Sequence, residues 1–487
     1  MAWETVIGLE VHVQLQTRSK MFCGCSTRFG APPNTQVCPV CLGLPGALPT
    51  PNGEAIRLAT RAALALGCTV HQTSVFARKN YFYPDLPKGY QISQFDQPLA
   101  TGGQLLIESP ERGRIRIGVT RLHVEEDAGK SLHDRFPGRT AVDLNRSGTP
   151  LAEIVSEPDL RSPGEARAYL TTLKQILLYC AVSDGNMEEG SLRVDANVSI
   201  RRPGAPLGTK TEVKNMNSFA NVERALTVER DRQVALLEAG GRVEQLTLLF
   251  NAATGEVRPM RSKEESHDYR YFPDPDLPPL VLTRQWIGER QAELPELPEA
   301  KRERFMTGHG LPAYDAGVLA AERPIADYFE AVLGEGVEAK TASNWVINDA
   351  LRAYNETGSF AVSAVDLAKL VGLVKDGTVS NQAAKRVYTE LAAITGSGSV
   401  SVSVGLSGTG SVSPRAVAER LGLIQVGDAD QLGPWVHEVL AANPKEVERY
   451  RAGETKLLGF FTGQVMKQSG GKADPKKIAP LLQEKLR

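Results

Sequence analysis

No apolar run in this 487-residue chain approaches the ~18 residues that cross a bilayer, which excludes a transmembrane helix. The N-terminus has Trp3 and Glu4 where a secretory signal would carry a basic region and an apolar stretch, so a cytoplasmic protein without a membrane partner is expected. Charge of one sign is also missing: 56 Lys and Arg stand against 57 Asp and Glu, a net charge of −1. That sum argues against a uniformly basic nucleic-acid binder, although a global sum hides local fields. The chain has no G-x-x-x-x-G-K-[ST], no H-E-x-x-H and no G-x-S-x-G, which excludes the P-loop, the zincin helix and the nucleophile elbow. With 41% hydrophobic and 23% charged residues it is neither disordered, collagenous nor coiled coil. At roughly 150 residues per domain, the length fits three domains.

Cysteines are few, and four of the six cluster as Cys23-x-Cys25 and Cys38-x-x-Cys41 with twelve residues between the pairs. Without an export signal, two close pairs read as a zinc site in preference to disulfides. Four thiolates close a tetrahedral ion and leave no open position, so the zinc is expected to be structural. Cys68 and Cys180 sit in apolar helical contexts and read as core.

Helical spacing marks residues 52–67, 164–179 and 220–239, with Gly67 and Gly240-Gly241 as stops. Past the Pro-rich stretch 273–279 the chain turns helical, as in 343–355 and 365–374, and the Gly/Ser-rich run 396–413 reads as a flexible linker. The expected layout is a domain over 1–293 with the zinc loop, a helical domain over 294–395, the linker, and a helical tail over 414–487.

The most informative feature is alternation in the first 215 residues. In Val6–Leu15 the apolar set Ile7, Leu9, Val11, Val13 and Leu15 leaves Glu10, His12 and Gln14 on the other face. Residues 191–200 place Arg193, Asp195 and Asn197 opposite Leu192, Val194 and Val198, while Lys210, Glu212 and Lys214 share a face in 209–215. Residues 123–127 add Glu125 and Glu126, and 151–154 add Glu153. A solvated face needs polar residues anyway. Acids on strands ~4.8 Å apart would nevertheless repel unless a cation sat among them, and Mg²⁺ uses carboxylates, waters and substrate phosphates. Arg193, Lys210 and Lys214 are suited to hold phosphates directly. The residues thus point to a curved antiparallel sheet with a Mg²⁺–nucleotide site.

Two loops suit closure of that site. Arg78–Tyr90 sets four aromatics among three cations, and His267–Asp276 does something similar. Rings stack bases and cations clamp phosphates, which fits ATP or a tRNA end. Lys79, Tyr81 and Arg270 from these loops, with Arg193 and Glu212, are the expected nucleotide contacts.

Several long stretches resemble the GatB family, the B subunits of tRNA-dependent amidotransferases: 8–15, 79–85, 123–130, 143–150, 189–197, 214–218 and 268–274. The resemblance implies an α+β chain, with a mainly antiparallel cradle similar to glutamine synthetase and guanidino kinases, then a helical domain and a YqeY-like tail. It implies a ligase that activates the side-chain carboxylate of Glu-tRNA(Gln) or Asp-tRNA(Asn) with ATP and Mg²⁺ and transfers ammonia to it. Partners would be a GatA-type glutaminase and a GatC-type small subunit. Glu10, His12, Glu125 and Glu153 match the family's metal positions, with Glu126, Asp195 and Glu212 as further ligands or orienters. Glu125, Glu153, Arg193, Asp195, Lys210 and Lys214 are the expected catalytic set. The tail fits a tRNA grip, since residues 443–487 carry ten basic and five acidic side chains, a local +5. The competing readings are a stand-alone ATP-dependent carboxylate–amine ligase and a non-catalytic zinc-containing tRNA-binding scaffold.

Overall fold

The computed structural model describes residues 3–260, 269–396, 413–425, 428–470 and 472–487. Residues 397–412 of the expected linker, and His267 and Asp268 of the second aromatic loop, lie outside them. The chain is mixed α+β and divides into two compact units, Met1–Pro298 and Glu299–Arg487.

The first unit is built on a nine-stranded sheet. In chain order its strands are β1 Glu4–Gln14, β2 Thr69–Val70, β3 Ala100–Ser109, β4 Gly113–Glu126, β5 Pro150–Ser156, β6 Leu192–Arg201, β7 Thr211–Lys214, β8 Thr247–Asn251 and β9 Glu256–Pro259. The spatial order is β9-β8-β7-β6-β1-β5-β4-β3-β2, so β1 lies in the middle. All pairs are antiparallel except β7 with β8, which are joined through a helix as a parallel pair requires.

Three helices cover one face. They are α1 Gly53–Ala65, α2 Pro163–Tyr179 and α3 Phe219–Glu238, capped by Asn52, Ser162 and Ser218, whose side chains each accept from backbone N–H groups of the first turn. Ile7, Leu9, Val11 and Val13 of β1 and Val194 and Val198 of β6 pack with Leu58, Leu170 and Leu226 of these helices in one core. Period-2 alternation then turns the polar set of every central strand to the other side, which the helices leave open.

In the second unit, one apolar cluster gathers Phe305, Phe329, Trp345, Leu370, Val387 and Val417, and a smaller one gathers Leu432, Val436, Phe461, Val465, Ile478 and Leu482. The helix expected over 343–355 is interrupted by a π-helical turn, Val346–Ala350. Among the described residues no helix is long and apolar enough to cross a membrane.

Candidate functional site

Register brings the polar residues of five strands into rows. His12 lies opposite Glu153 on β5 and Arg193 on β6, and Glu153 lies opposite His123 on β4. Two residues along β1, Glu10 faces Asp195, while Asn197 faces Glu212 on β7.

At the centre His12, Glu125 and Glu153 each direct one ligand atom into a space where all three lie within 4.8 Å of one another. His12 Nε2 is 3.3 Å from Glu153 Oε2 and 3.7 Å from Glu125 Oε1. A second imidazole closes the ring: His123 Nε2 is 3.3 Å from Glu153 Oε2 and 3.6 Å from Glu125 Oε2. The Ser93 hydroxyl also donates to Glu125 Oε2 at 3.1 Å. Burial favours neutral imidazole, yet the charges and hydrogen bonds of Glu153 and Glu125 together outweigh it and push His123 up to about 9. Burial would raise the Glu153 carboxyl too, but the two histidines hold it well below the usual carboxylate range. Adjacent ligands of an octahedral Mg²⁺ with 2.0–2.1 Å bonds are about 3.0 Å apart and opposite ones about 4.2 Å. The His12–Glu153 and His12–Glu125 separations of 3.3 and 3.7 Å fall between those two values.

Glu10 stands outside this group and accepts from Asn197 Nδ2 at 3.0 Å. Burial raises its pKa, and the charges of Glu153, Glu212 and Asp195 raise it further. Two of the three expected phosphate cations are already held by acids. Lys214 Nζ is 2.6 Å from Asp195 and 3.0 Å from Glu212. Arg193 is 2.9 Å from the buried Asp127, which also receives Arg146 at 3.5 Å and Gln14 Nε2 at 3.2 Å. Lys210 is exposed beside a cleft at the Glu4 end of the face.

Glu126, expected beside the metal ligands, is not among them. Being consecutive with Glu125, it points to the other side of β4, where it is ion-paired with Lys88 and accepts from the Ile92 N–H at 3.0 Å. His123 and Asp127 are the residues that motif reading passed over. His123 precedes Glu125 by two, the same signal that paired Glu10 with His12. Asp127 follows Glu125 by the same two residues, but nothing local marks its partner Arg193, which lies on a strand that is not its neighbour.

The strand Ala77–Asn80 pairs with Tyr90–Ser93 and places the first aromatic loop beside the cluster. Lys79 Nζ lies 4.8 Å from the Tyr269 ring centre and 5.9 Å from that of Tyr81. Burial lowers its pKa, but the charges of Glu125 and Glu153 with the Tyr271 and Tyr269 hydroxyls together outweigh this and raise it overall. Tyr271 stacks on Phe95 at 4.2 Å, and Arg270 adopts a left-handed φ of 44°. Asn80 Nδ2 donates to the Tyr269 and Arg270 carbonyls, which ties the two loops together.

The four cysteines Cys23, Cys25, Cys38 and Cys41 converge with their sulfurs within 4.8 Å of one another. Tetrahedral zinc with 2.3 Å bonds separates its sulfurs by about 3.8 Å. Cys38 and Cys41 are 3.9 Å apart, so the set fits that ion. The hydrogen bond from Cys23 draws the Cys41 thiol down to about 4, and the charge of Lys20 adds to this. Lys20 is fully buried, 3.6 Å from Cys41 Sγ, and donates to the carbonyls of Gln36 and Leu144.

A family model described as the GatB/GatE catalytic domain matches residues 5–288, and one described as the GatB domain matches residues 327–486. The B subunit of the aspartyl/glutamyl-tRNA(Asn/Gln) amidotransferase of Moorella thermoacetica is 53% identical over 493 residues, covering all of both chains. The proteins of the same description from Alkalilimnicola ehrlichii and Geotalea uraniireducens are 53% and 52% identical, again over the whole of both chains.

Proposed function

The chain belongs to the GatB family, the B subunits of the aspartyl/glutamyl-tRNA(Asn/Gln) amidotransferase, and from that membership we propose how its open sheet face serves the reaction. It is the component of a tRNA-dependent ligase that acts in transamidation of misacylated tRNA. The chemistry divides into two steps. A side-chain carboxylate oxygen of the misacylated residue attacks the γ-phosphorus of ATP, releasing ADP and leaving an acyl phosphate. Ammonia then attacks the acyl carbon, phosphate leaves, and the amide remains.

His12, Glu125 and Glu153 would hold one Mg²⁺, with Glu10 beside them as a further ligand and Asp195 and Glu212 as orienters. Such ions, when bound, neutralise charge on the transferring phosphoryl group and orient it. The protein's own part is preorganisation. Asp127 fixes Arg193, and Asp195 with Glu212 fixes Lys214, so both cations stand ready for phosphate oxygens with little reorganisation. Lys79, Tyr81 and Arg270 would close over the reacting groups and exclude water, which an acyl phosphate requires. The Cys23–Cys25–Cys38–Cys41 set would hold a structural Zn²⁺.

A mainly antiparallel sheet with acids on its open face supports the likeness to glutamine synthetase and guanidino kinases. The layout of a 1–293 cradle, a 294–395 helical domain and a 414–487 tail follows the same reading. Ammonia would come from a GatA-type glutaminase assembled with a GatC-type subunit, since this sequence has no amidase-type nucleophile signature.

The observation that carries the reading is the convergence of His12, Glu125 and Glu153 on the open face. In the assembled enzyme, Glu125→Gln should abolish ATP cleavage stimulated by misacylated tRNA while glutamine hydrolysis persists. Undiminished ATP cleavage in that variant would remove Glu125 from the site.

A further inference from the structure

Lys20 is fully buried, and no step of the reaction above uses it. Burying a cation is costly unless it is paired and hydrogen-bonded, so its partners indicate its purpose. Its three N–H donors each find an acceptor: Cys41 Sγ at 3.6 Å, the Gln36 carbonyl at 2.7 Å and the Leu144 carbonyl at 3.3 Å. The first two belong to the cysteine loop. The third belongs to segment 142–149, which leads into β5. The Lys20 stem passes beneath Gly148, which has a left-handed φ of 84° and where a Cβ would stand 3.4 Å from Lys20 Cδ.

Other residues of the cysteine loop tie it to the same segment. Asn34, at a left-handed φ of 59°, donates its N–H to Asp143 Oδ1 at 3.1 Å and its Nδ2 to the Val142 carbonyl at 3.0 Å. Its Oδ1 accepts from the Leu144 N–H at 2.8 Å. The Gln36 N–H donates to Asn145 Oδ1 at 2.8 Å, and the Met21 N–H donates to the Gly148 carbonyl at 2.7 Å. The segment in turn carries Arg146, which donates to the Ala128 and Gly129 carbonyls at 3.0 and 2.6 Å and stands 3.5 Å from Asp127 Oδ2. That same oxygen takes Arg193 at 2.9 Å. The segment also grips the Asp127 backbone, since the Gly148 N–H donates to the Asp127 carbonyl and the Asp127 N–H to the Thr149 carbonyl, both at 2.8 Å.

A carboxylate shared by two guanidinium groups takes its place from both, so a shift of Arg146 moves the acid on which Arg193 rests. Four thiolates outweigh the charge of one Zn²⁺, and Lys20 supplies a countercharge while joining that site to the segment. We infer that Lys20 is a positioning residue: it fastens the cysteine site to segment 142–149 and thereby holds Arg146, Asp127 and Arg193 in the geometry that phosphoryl transfer uses. This inference rests on the phosphoryl-transfer reading above and deepens it. A cysteine site that stapled only its own loop would leave Arg193 untouched.

The test is a double-mutant cycle in the assembled enzyme between Lys20→Met, which keeps the stem and removes the charge, and Arg193→Lys. It is read by kcat for ATP cleavage stimulated by misacylated tRNA. Lys20→Met should release zinc to a chelator about tenfold faster than wild type and lower kcat about 10- to 100-fold, while glutamine hydrolysis persists. Added to Arg193→Lys, it should lower kcat by less than about twofold further, because both changes act on one guanidinium. Losses that multiply, or zinc held as in wild type, would overturn the inference. Asn34→Gly is the second variant, at an exposed position whose left-handed φ glycine adopts without strain, and it decides alone if Lys20→Met does not assemble. It should lower kcat, again without adding to Arg193→Lys, at unchanged zinc content, which loss of metal does not explain. A wild-type kcat in Asn34→Gly would also overturn the inference. If Arg193→Lys alone left kcat unchanged, the phosphoryl-transfer role of Arg193 would fall and the inference with it; in the other outcomes that role stands and only Lys20 is judged.

Discussion

His123 and His12 alternate with Glu125 and Glu153 in a ring of two imidazoles and two carboxylates. In that ring His123 touches both acids that His12 touches, and its Nδ1 is buried without a hydrogen-bond partner. It therefore aims the two carboxylates. His123→Gln should weaken Mn²⁺ binding about 10- to 100-fold, the usual effect of removing a partner of metal ligands, measured by the free-ion signal in magnetic resonance. Mn²⁺ is a fair probe because an imidazole with carboxylates accepts it as readily as Mg²⁺. Single residues were legible in the sequence where a rule of two applied: Glu10 with His12, and Arg193 with Asp195. Residues 123–127 supplied Glu125 and Glu126 together; applied there, the rule sends Glu126 to the opposite face, but its partner Lys88 comes from another loop and left no mark.

Helices α1, α2 and α3 were readable to within a residue or two, since each has a capping Asn or Ser and an apolar stripe. The sheet order was not, because pairing between strands more than a hundred residues apart leaves no local mark. Glu165 in the first turn of α2 shows what such non-local ties contribute. It is buried, accepts from Ser109 Oγ at 2.7 Å and from the Arg161 N–H at 2.6 Å, and is ion-paired with Arg112. Glu165→Gln should destabilise the first unit by about 1–3 kcal/mol at neutral pH in a urea titration. Burial would raise the Glu165 pKa, but the Arg112 bonds hold it below the ordinary 4.5. Its contribution is therefore complete above that value and is lost as pH falls through the lower folded one. The gap between variant and wild type should shrink as pH drops below 4.5. In the cysteine loop, Cys38→Ala should release about one equivalent of zinc by metal analysis, since a four-thiolate site closes only with all four ligands. Unchanged zinc content would count against the site.

Across the whole chain, the near-zero charge reads as a cancellation. Carboxylates gather on the open face of the sheet, while residues 443–487 carry a local +5. Affinity for tRNA should fall as salt rises, and Lys476→Ala with Lys477→Ala should flatten the logarithmic salt slope by about 1 for each phosphate the pair no longer neutralises, read from filter binding. An unchanged slope would mean that the basic face is merely solvated.

The place of β1 in the middle of nine strands has a consequence for motion. Its amides are locked into ladders with β5 and β6 on both edges, and Ile7, Val11 and Val13 beneath them are fully buried. Opening such a strand requires something close to global unfolding, so its amide hydrogens should be among the slowest in the molecule to exchange with deuterium. The backbone that bears Glu10 and His12 is therefore a fixed platform during turnover. The loops around Lys79 and Tyr269 should exchange faster, and isotope exchange with and without ATP should show protection arriving there first.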